Sequence, residues 1–116
     1  MASAARALGD SGEAAVADWY VNRGFQVVAR NWRCREGELD IVAVGGGVAV
    51  FCEVKSRSSV AFGAPVEAVG RDKQARIRRL AARFLRERGA AVRCREVRFD
   101  VASVLAGDIE VVEGAF

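Results

Sequence analysis

The chain has 116 residues, of which 28% are charged, and its formal net charge is +3. A chain of this length fits one domain with a single core over residues 1–116. The absence of histidine excludes Ser-His and Cys-His catalysis and histidine-metal sites, so any catalysis must use carboxylates, lysine, hydroxyls or a metal ion. No apolar run approaches the roughly 18 residues of a membrane span, and residues 1–12 lack the features of a signal peptide, so we expect a cytoplasmic protein that does not contact membranes.

A first helix is predicted from about Ser11 to Arg23, because apolar residues recur there at helical spacing and a glycine follows. Glu13 shares the apolar face of this helix with Tyr20, which is unusual for a surface acid. Two interpretations of Glu13 are open. It is either the third helical residue of a capping box that begins at Asp10, or an acid that the helix presents to a functional site.

Three strands follow as an antiparallel meander, and the second and third carry acids among their apolar residues. Burying Asp40 or Glu53 without a cation costs several kcal/mol or more, so a metal ion is a natural partner for both. Residues i and i+2 of a strand point to one face, which places Glu53 and Lys55 together. The predicted strands span about 25 to 31, 37 to 44 and 48 to 55.

The loop between the second and third strands decides whether Asp40 joins Glu53. A three-residue loop over 45–47 pairs Val44 with Val48 and puts the two carboxylates on opposite faces of the sheet. A four-residue loop that ends at Val48, or a single β-bulge, brings them together. Both alternatives are open, because three consecutive glycines accommodate either turn.

A second helix, from Arg71 to Arg88, carries most of the positive charge. It has eight basic and two acidic residues, so it contributes +6 while the rest of the chain sums to −3. Its apolar residues form one stripe, and four arginines form a stripe on the opposite face. This stripe is either a solvated helix face or a surface for a phosphate backbone. The four arginines are Arg76, Arg79, Arg83 and Arg86.

Two further strands are predicted, over residues 96 to 105 and near 109 to 112. The second helix packs across the sheet, and this crossover allows the segment from 97 to 104 to lie parallel to a neighbouring strand. The element order is helix, three strands, helix and two strands, and the fold class is therefore α/β.

The core motif of the PD-(D/E)xK nuclease superfamily is an aspartate, about a dozen residues, and then Glu-x-Lys. This chain resembles that motif at Asp40, Glu53 and Lys55, with Leu39 where the motif often has proline. The flanking motifs extend the likeness, and with them the chain resembles the YraN family. This is a group of small bacterial, endonuclease-like proteins similar to the archaeal Holliday junction resolvases. The flanking motifs are Gly12-Glu13, Arg23-Gly24-Phe25, Arg30-Asn31-Trp32-Arg33, Gly37-Glu38, Asp72-Lys73-Gln74 and Val97-Arg98-Phe99-Asp100-Val101.

The resemblance implies a restriction-endonuclease-like αβββαβ core, with a mixed sheet flanked by helices. It also implies hydrolysis of DNA, including branched DNA, with Mg²⁺ or Mn²⁺ held by Asp40, Glu53 and the carbonyl of Val54. Lys55 would position the attacking water, and Glu13 would complete the site. A homodimer is implied because the resolvases act as dimers. The expected nucleic-acid contacts are Ser56, Arg57, Lys73, Gln74 and the four arginines of the second helix.

Two other functions are compatible with the same residues. The first is a nucleic-acid-binding module that keeps the nuclease-like fold without chemistry of its own. The second is an interaction protein whose arginine stripe contacts an acidic protein surface. Salt distinguishes them, because phosphate contacts release counterions and make affinity fall steeply with ionic strength.

Glu38 is interpreted here as a solvated acid at a strand end, and Trp32 as a core aromatic residue.

Overall fold

A computed structural model describes residues 4–57, 69–89 and 92–116 of the chain, with side chains described from residue 12 onward and not at Arg57. Within these ranges, two helices lie on opposite faces of one five-stranded sheet, which confirms the predicted α/β class and element order. The elements are α1 (Ala4–Val21), β1 (Gln26–Cys34), β2 (Gly37–Gly45), β3 (Val48–Arg57), α2 (Arg71–Arg88), β4 (Glu96–Leu105) and β5 (Asp108–Val112).

The sheet is mixed and its strands follow the order β1-β2-β3-β4-β5. The first three strands form the predicted antiparallel meander, and β4 pairs antiparallel with β5. Strands β3 and β4 are parallel, with Phe51 opposite Phe99. A parallel pair needs a long crossover connection, and α2 lies within that connection. The sheet order and the parallel pairing of β3 with β4 agree with the implied αβββαβ core.

Each helix covers one face of the sheet and closes a separate part of the core. On one face α2 buries Ile77, Leu80 and Phe84 against Phe51 and its neighbours. On the other face α1 buries Val16 and Tyr20 against the alternate residues of the same strands. The central strands are therefore apolar on both faces, as expected of strands between two helical layers. Within the described ranges, no helix is long and apolar enough to cross a membrane.

The β2–β3 hairpin closes with a two-residue turn at Gly46 and Gly47. Both have positive φ, +58° and +80°, as a type I′ hairpin turn requires and as glycine adopts without strain. Val44 therefore pairs with Ala49 and Ile41 with Cys52. This is the register of the predicted four-residue alternative, in which the two carboxylates share one face. The alternative that separates them is excluded.

Two predicted boundaries were wrong. Helix α1 begins at Ala4, seven residues before the predicted start, because the alanine-rich sequence before Ser11 favours helix. Asp10 is consequently inside the helix, so the capping-box interpretation of Glu13 is contradicted. Strand β1 continues to Cys34, beyond the predicted end at residue 31.

A buried polar network joins α1, β4 and the C-terminal segment. Asp100 is fully buried on β4. Its carboxylate accepts hydrogen bonds from the Tyr20 hydroxyl at 2.6 Å and from the backbone N–H of Gly114 at 3.0 Å. The Arg98 guanidinium donates to both oxygens, at 2.9 and 3.0 Å. Because these donors satisfy a charge that is costly to bury, the network is structural.

Candidate active site

The sheet opens between β2 and β3 at the point where the two predicted carboxylates lie. The two strands pair only as far as Ile41 and Cys52. Beyond that pair β3 continues alongside β4, and β2 continues alongside β1. The Asp40 carboxylate accepts a hydrogen bond from the backbone N–H of Val54 at 2.8 Å, so this side chain satisfies a donor at the opening.

Asp40 lies in an environment that disfavours its negative charge. Burial raises its pKa first, and repulsion by Glu53 and by Glu13 raises it further. The hydrogen bond from Val54 opposes this change, and the resulting pKa is about 7. Asp40 also lies within hydrogen-bonding reach of Glu53. Near neutral pH the carboxyl of Asp40 is therefore only partly ionised, and a divalent cation beside it would favour its charged form.

Glu53 is buried, with 8% of its surface exposed, and two ammonium groups approach the same oxygen. Its Oε1 lies 2.6 Å from Nζ of Lys73 and 3.6 Å from Nζ of Lys55. Burial and the neighbouring Lys73 lower the pKa of Lys55. Burial acts to lower the pKa of Lys73, but its hydrogen bond to Glu53 and its attraction to Glu53 and Asp40 together outweigh burial, and the pKa of Lys73 is raised. The ion pair with Lys73 is thus the stronger of the two.

A cluster of three carboxylates lies at the same opening. One oxygen each from Glu13, Glu38 and Asp40 lie within 4.8 Å of one another. Such oxygen donors suit Mg²⁺ and Mn²⁺, so Glu13, Glu38 and Asp40 fit an ion of the implied kind. Of the two predicted metal-binding carboxylates, this group includes Asp40 and not Glu53. Glu38 also accepts a hydrogen bond from Arg33 at 2.9 Å, and the interpretation of Glu38 as only a solvated acid missed its place in the cluster. Glu38 stands two residues before Asp40, so the two side chains point to the same face of β2, and this spacing is the sequence signal that places Glu38 beside the site.

The carboxylates open into a cleft that continues into an arginine-lined groove. The cleft has a volume of about 240 Å³ and the groove about 330 Å³, and Arg76 and Leu80 line both. Arg76, Arg79 and Arg86 are exposed along the groove, whereas Arg83 forms ion pairs with Glu36 and Glu87. The stripe predicted from helical periodicity therefore borders the candidate site, with three of its four arginines exposed and one paired.

Other predicted contact residues lie elsewhere or have partners within the protein. The hydroxyl of Ser56 is buried beneath α1, where a Cβ added at Gly12 would lie 2.0 Å from it. The Gln74 amide donates a hydrogen bond to the carbonyl of Val69 at 2.9 Å. The side chain of Arg57 lies outside the described part of the chain. Lys73, a predicted nucleic-acid contact on α2, and Lys55, the predicted catalytic lysine on β3, do lie beside Glu53.

Trp32 packs within the α2 face of the core. Its ring meets Phe84 edge to face, with 5.5 Å between the ring centroids. The prediction of a core aromatic residue is thus confirmed.

Comparison with known proteins identifies the family. The model of "Uncharacterised protein family UPF0102" matches residues 12–104, which include every residue of the carboxylate cluster and both lysines. A UPF0102 protein of Beutenbergia cavernae is 57% identical over 99 residues, covering 85% of this chain and 82% of the relative. Those of Acidothermus cellulolyticus and Moorella thermoacetica are each 47% identical, and cover 99% and 96% of this chain and 97% and 96% of their own lengths. The chain belongs to the UPF0102 family, the YraN group that its motifs predicted.

Proposed function

We propose that this protein is a metal-dependent nuclease that hydrolyses phosphodiester bonds of DNA. The observation that carries the proposal is the convergence of Asp40, Glu53 and Lys55 where β2 and β3 separate, beside a basic groove. Acids that hold a metal and an ammonium that stabilises negative charge are the groups that this hydrolysis needs. A purely structural role does not account for the carboxyl of Asp40, whose ionisation is disfavoured in this position.

The chain's own residues have distinct parts in this proposal. Asp40 and Glu53 would hold Mg²⁺ or Mn²⁺ together with the carbonyl of Val54, and Glu13 and Glu38 would complete the oxygen environment. When bound, the ion supplies a Lewis acid and lowers the pKa of water.

Lys55 is half-buried beside Glu53, so its ammonium is held in one place. From there it orients a water molecule by hydrogen bonding and stabilises charge that develops on the phosphate. Because Lys55 and Glu53 lie two residues apart on the central strand β3, and not on a loop, the strand fixes their relative positions.

The basic groove gives the substrate a path away from the reacting phosphate. Arg76 lines both the cleft and the groove, and Arg79 and Arg86 continue along α2. Arg76 and Arg86 are ten residues apart, about 15 Å along a helix at 1.5 Å per residue. Since DNA carries a phosphate about every 3.4 Å per strand along a duplex axis, this length spans several phosphates.

A cleavage assay tests the proposal. Purified protein is incubated with Mg²⁺ or Mn²⁺ and a panel of linear, nicked and branched DNAs and an RNA, and EDTA serves as the metal-free control. We expect metal-dependent cleavage of at least one DNA, lost in Asp40→Asn and retained in Asp108→Asn, which changes an exposed acid at the start of β5. No cleavage of any substrate, with tight binding retained, would contradict the nuclease proposal.

A non-catalytic nucleic-acid-binding module is the second candidate. One observation favours it: the protein's own lysines already neutralise Glu53, so the fold does not depend on a metal for charge balance at that residue. This candidate keeps the groove and its salt-dependent affinity but predicts no metal-dependent cleavage. The same assay therefore distinguishes the two functions.

A further inference from the structure

We infer that Lys73 is a positioning residue that exchanges partners: it holds Glu53 when no metal is bound, and metal binding releases it to a phosphate of the nucleic acid. This inference rests on the proposed function and adds a coupling between its two ligands. The metal and the nucleic acid then bind cooperatively, because each makes the other's site available.

The first support is that Lys73 occupies a position that the metal needs. Its Nζ lies 2.6 Å from Oε1 of Glu53. Mg²⁺ binds carboxylate oxygen at about 2.0–2.1 Å, so an ion on that oxygen would lie within about 5 Å of the ammonium. Two positive groups so close repel each other strongly when partly buried. The metal and Lys73 therefore compete for Glu53.

The second support is that Lys73 is the more exposed of the two lysines at Glu53. Lys55 extends from a central strand and its side chain is 25% exposed, whereas Lys73 extends from the first turn of α2 and is 37% exposed. Lys55 is also 1.0 Å farther from the oxygen, with distances of 3.6 and 2.6 Å. Lys73 thus has both the stronger ion pair to lose and the space to move.

The third support is where Lys73 can go. It lines the carboxylate cleft together with Arg76, which also lines the groove. A released ammonium would therefore be among the cations that face a bound phosphate backbone. The residue type agrees with this role, since lysine is a flexible point charge and arginine a rigid fork. Sixteen of the 18 basic residues are arginine, and both lysines lie at Glu53.

The exchange makes a thermodynamic prediction. If Mn²⁺ frees Lys73 for phosphate, then nucleic acid must tighten Mn²⁺ binding by the same factor, because binding couplings are reciprocal. Replacing Lys73 by a neutral side chain removes the competitor for Glu53 and the additional cation for phosphate together. Metal affinity of the free protein should then rise, and the coupling should disappear.

Titration calorimetry with Mn²⁺ alone tests the competition. We expect Lys73→Gln to bind Mn²⁺ at least about fivefold more tightly than wild type, the lower end of typical couplings. Lys73→Arg keeps a cation at Glu53 and should show no such gain. Arg71→Gln removes the same charge from an exposed position in the same helical turn and controls for long-range electrostatics.

Fluorescence anisotropy with a labelled duplex that carries non-cleavable linkages tests the coupling. Mn²⁺ should tighten duplex binding by about fivefold or more in wild type and leave Lys73→Gln unchanged. If wild type binds Mn²⁺ but Lys73→Gln binds it no more tightly than Arg71→Gln, the exchange is wrong and the proposed metal site stands. If wild type binds no Mn²⁺, the proposed function fails and the exchange fails with it.

Discussion

Replacing Asp40 by Asn should stabilise the metal-free protein at neutral and alkaline pH. The substitution removes a charge that burial and two neighbouring carboxylates disfavour. The amide retains an oxygen that can accept the hydrogen bond from the N–H of Val54. Functional sites often cost the fold stability, so replacing one of their residues by a neutral residue is expected to stabilise the protein.

The magnitude follows from the pKa of Asp40. Its folded-state value of about 7 exceeds the ordinary value for Asp, about 3.9, so ionising it costs the folded state up to about 4 kcal/mol at 1.36 kcal/mol per pKa unit. Because the folded state holds this proton more tightly, wild-type stability is least affected below about pH 4 and falls as pH rises to about 7. The difference between Asp40→Asn and wild type should grow over the same window and then level off.

Urea denaturation in EDTA, at one-unit steps from pH 4 to pH 8, measures this difference. Titrating groups that do not interact with Asp40 are common to both proteins and cancel, and Asp108→Asn controls for the loss of an exposed acid. Adding Mn²⁺ at 100 times its Kd should stabilise wild type by about 2.7 kcal/mol and leave Asp40→Asn unchanged. A difference that does not vary with pH would refute the argument that burial and repulsion act on Asp40.

Three further predictions concern the groove, the catalytic lysine and the buried network. Replacing Arg76, Arg79 and Arg86 by Gln should weaken duplex binding and reduce the slope of log affinity against log salt concentration, by up to about 0.9 for each phosphate no longer neutralised. The same replacement of the exposed Arg23, Arg30 and Arg93 should change neither the affinity nor the slope. An unchanged slope in the first variant would show that the stripe is only a solvated helix face. Lys55→Arg should bind DNA nearly as well as wild type but cleave it about 100-fold more slowly under single-turnover conditions, because a planar guanidinium cannot replace a compact ammonium. Cleavage at the wild-type rate would show that Lys55 has no part in the mechanism. Tyr20→Phe should cost about 1.5–3 kcal/mol in urea denaturation, because Oδ2 of the buried Asp100 carboxylate loses one of its two hydrogen-bond donors. Mn²⁺ affinity should not change, and an unchanged urea midpoint would contradict this role of Tyr20.

Much of the fold was predictable because local patterns and tertiary structure agree. Apolar alternation located the strands, helical periodicity located α2 and its arginine stripe, and the crossover allowed the parallel pair of β3 and β4. The sequence pattern does not locate the start of α1, because the cap-like spacing of Asp10 and Glu13 competes with the helix propensity of the alanines before it. Cap motifs define a helix start only where the preceding residues do not themselves favour helix.

The site was predictable in its motif and not in its three-dimensional arrangement. Spacing within one strand placed Glu53 beside Lys55, but the register that brings Asp40 to them depended on whether three glycines form a loop of one length or another. Whether Lys73 reaches Glu53 depends on the packing of α2 across the sheet, which involves residues 20 apart in the chain. An ion pair of that kind has no local signal.

The buried acids of this protein differ in a way that separates function from structure. Asp100 receives hydrogen bonds from a hydroxyl, a guanidinium and a backbone N–H, so its charge is stabilised in place. Asp40 receives one from Val54 while two other carboxylates repel it. A fold under selection for stability alone would satisfy both acids or replace Asp40 by a neutral residue. Retaining an acid with this energetic cost is understandable if a divalent cation offsets it, which is why the carboxylates at the sheet opening, and not Asp100, are the place to look for a metal.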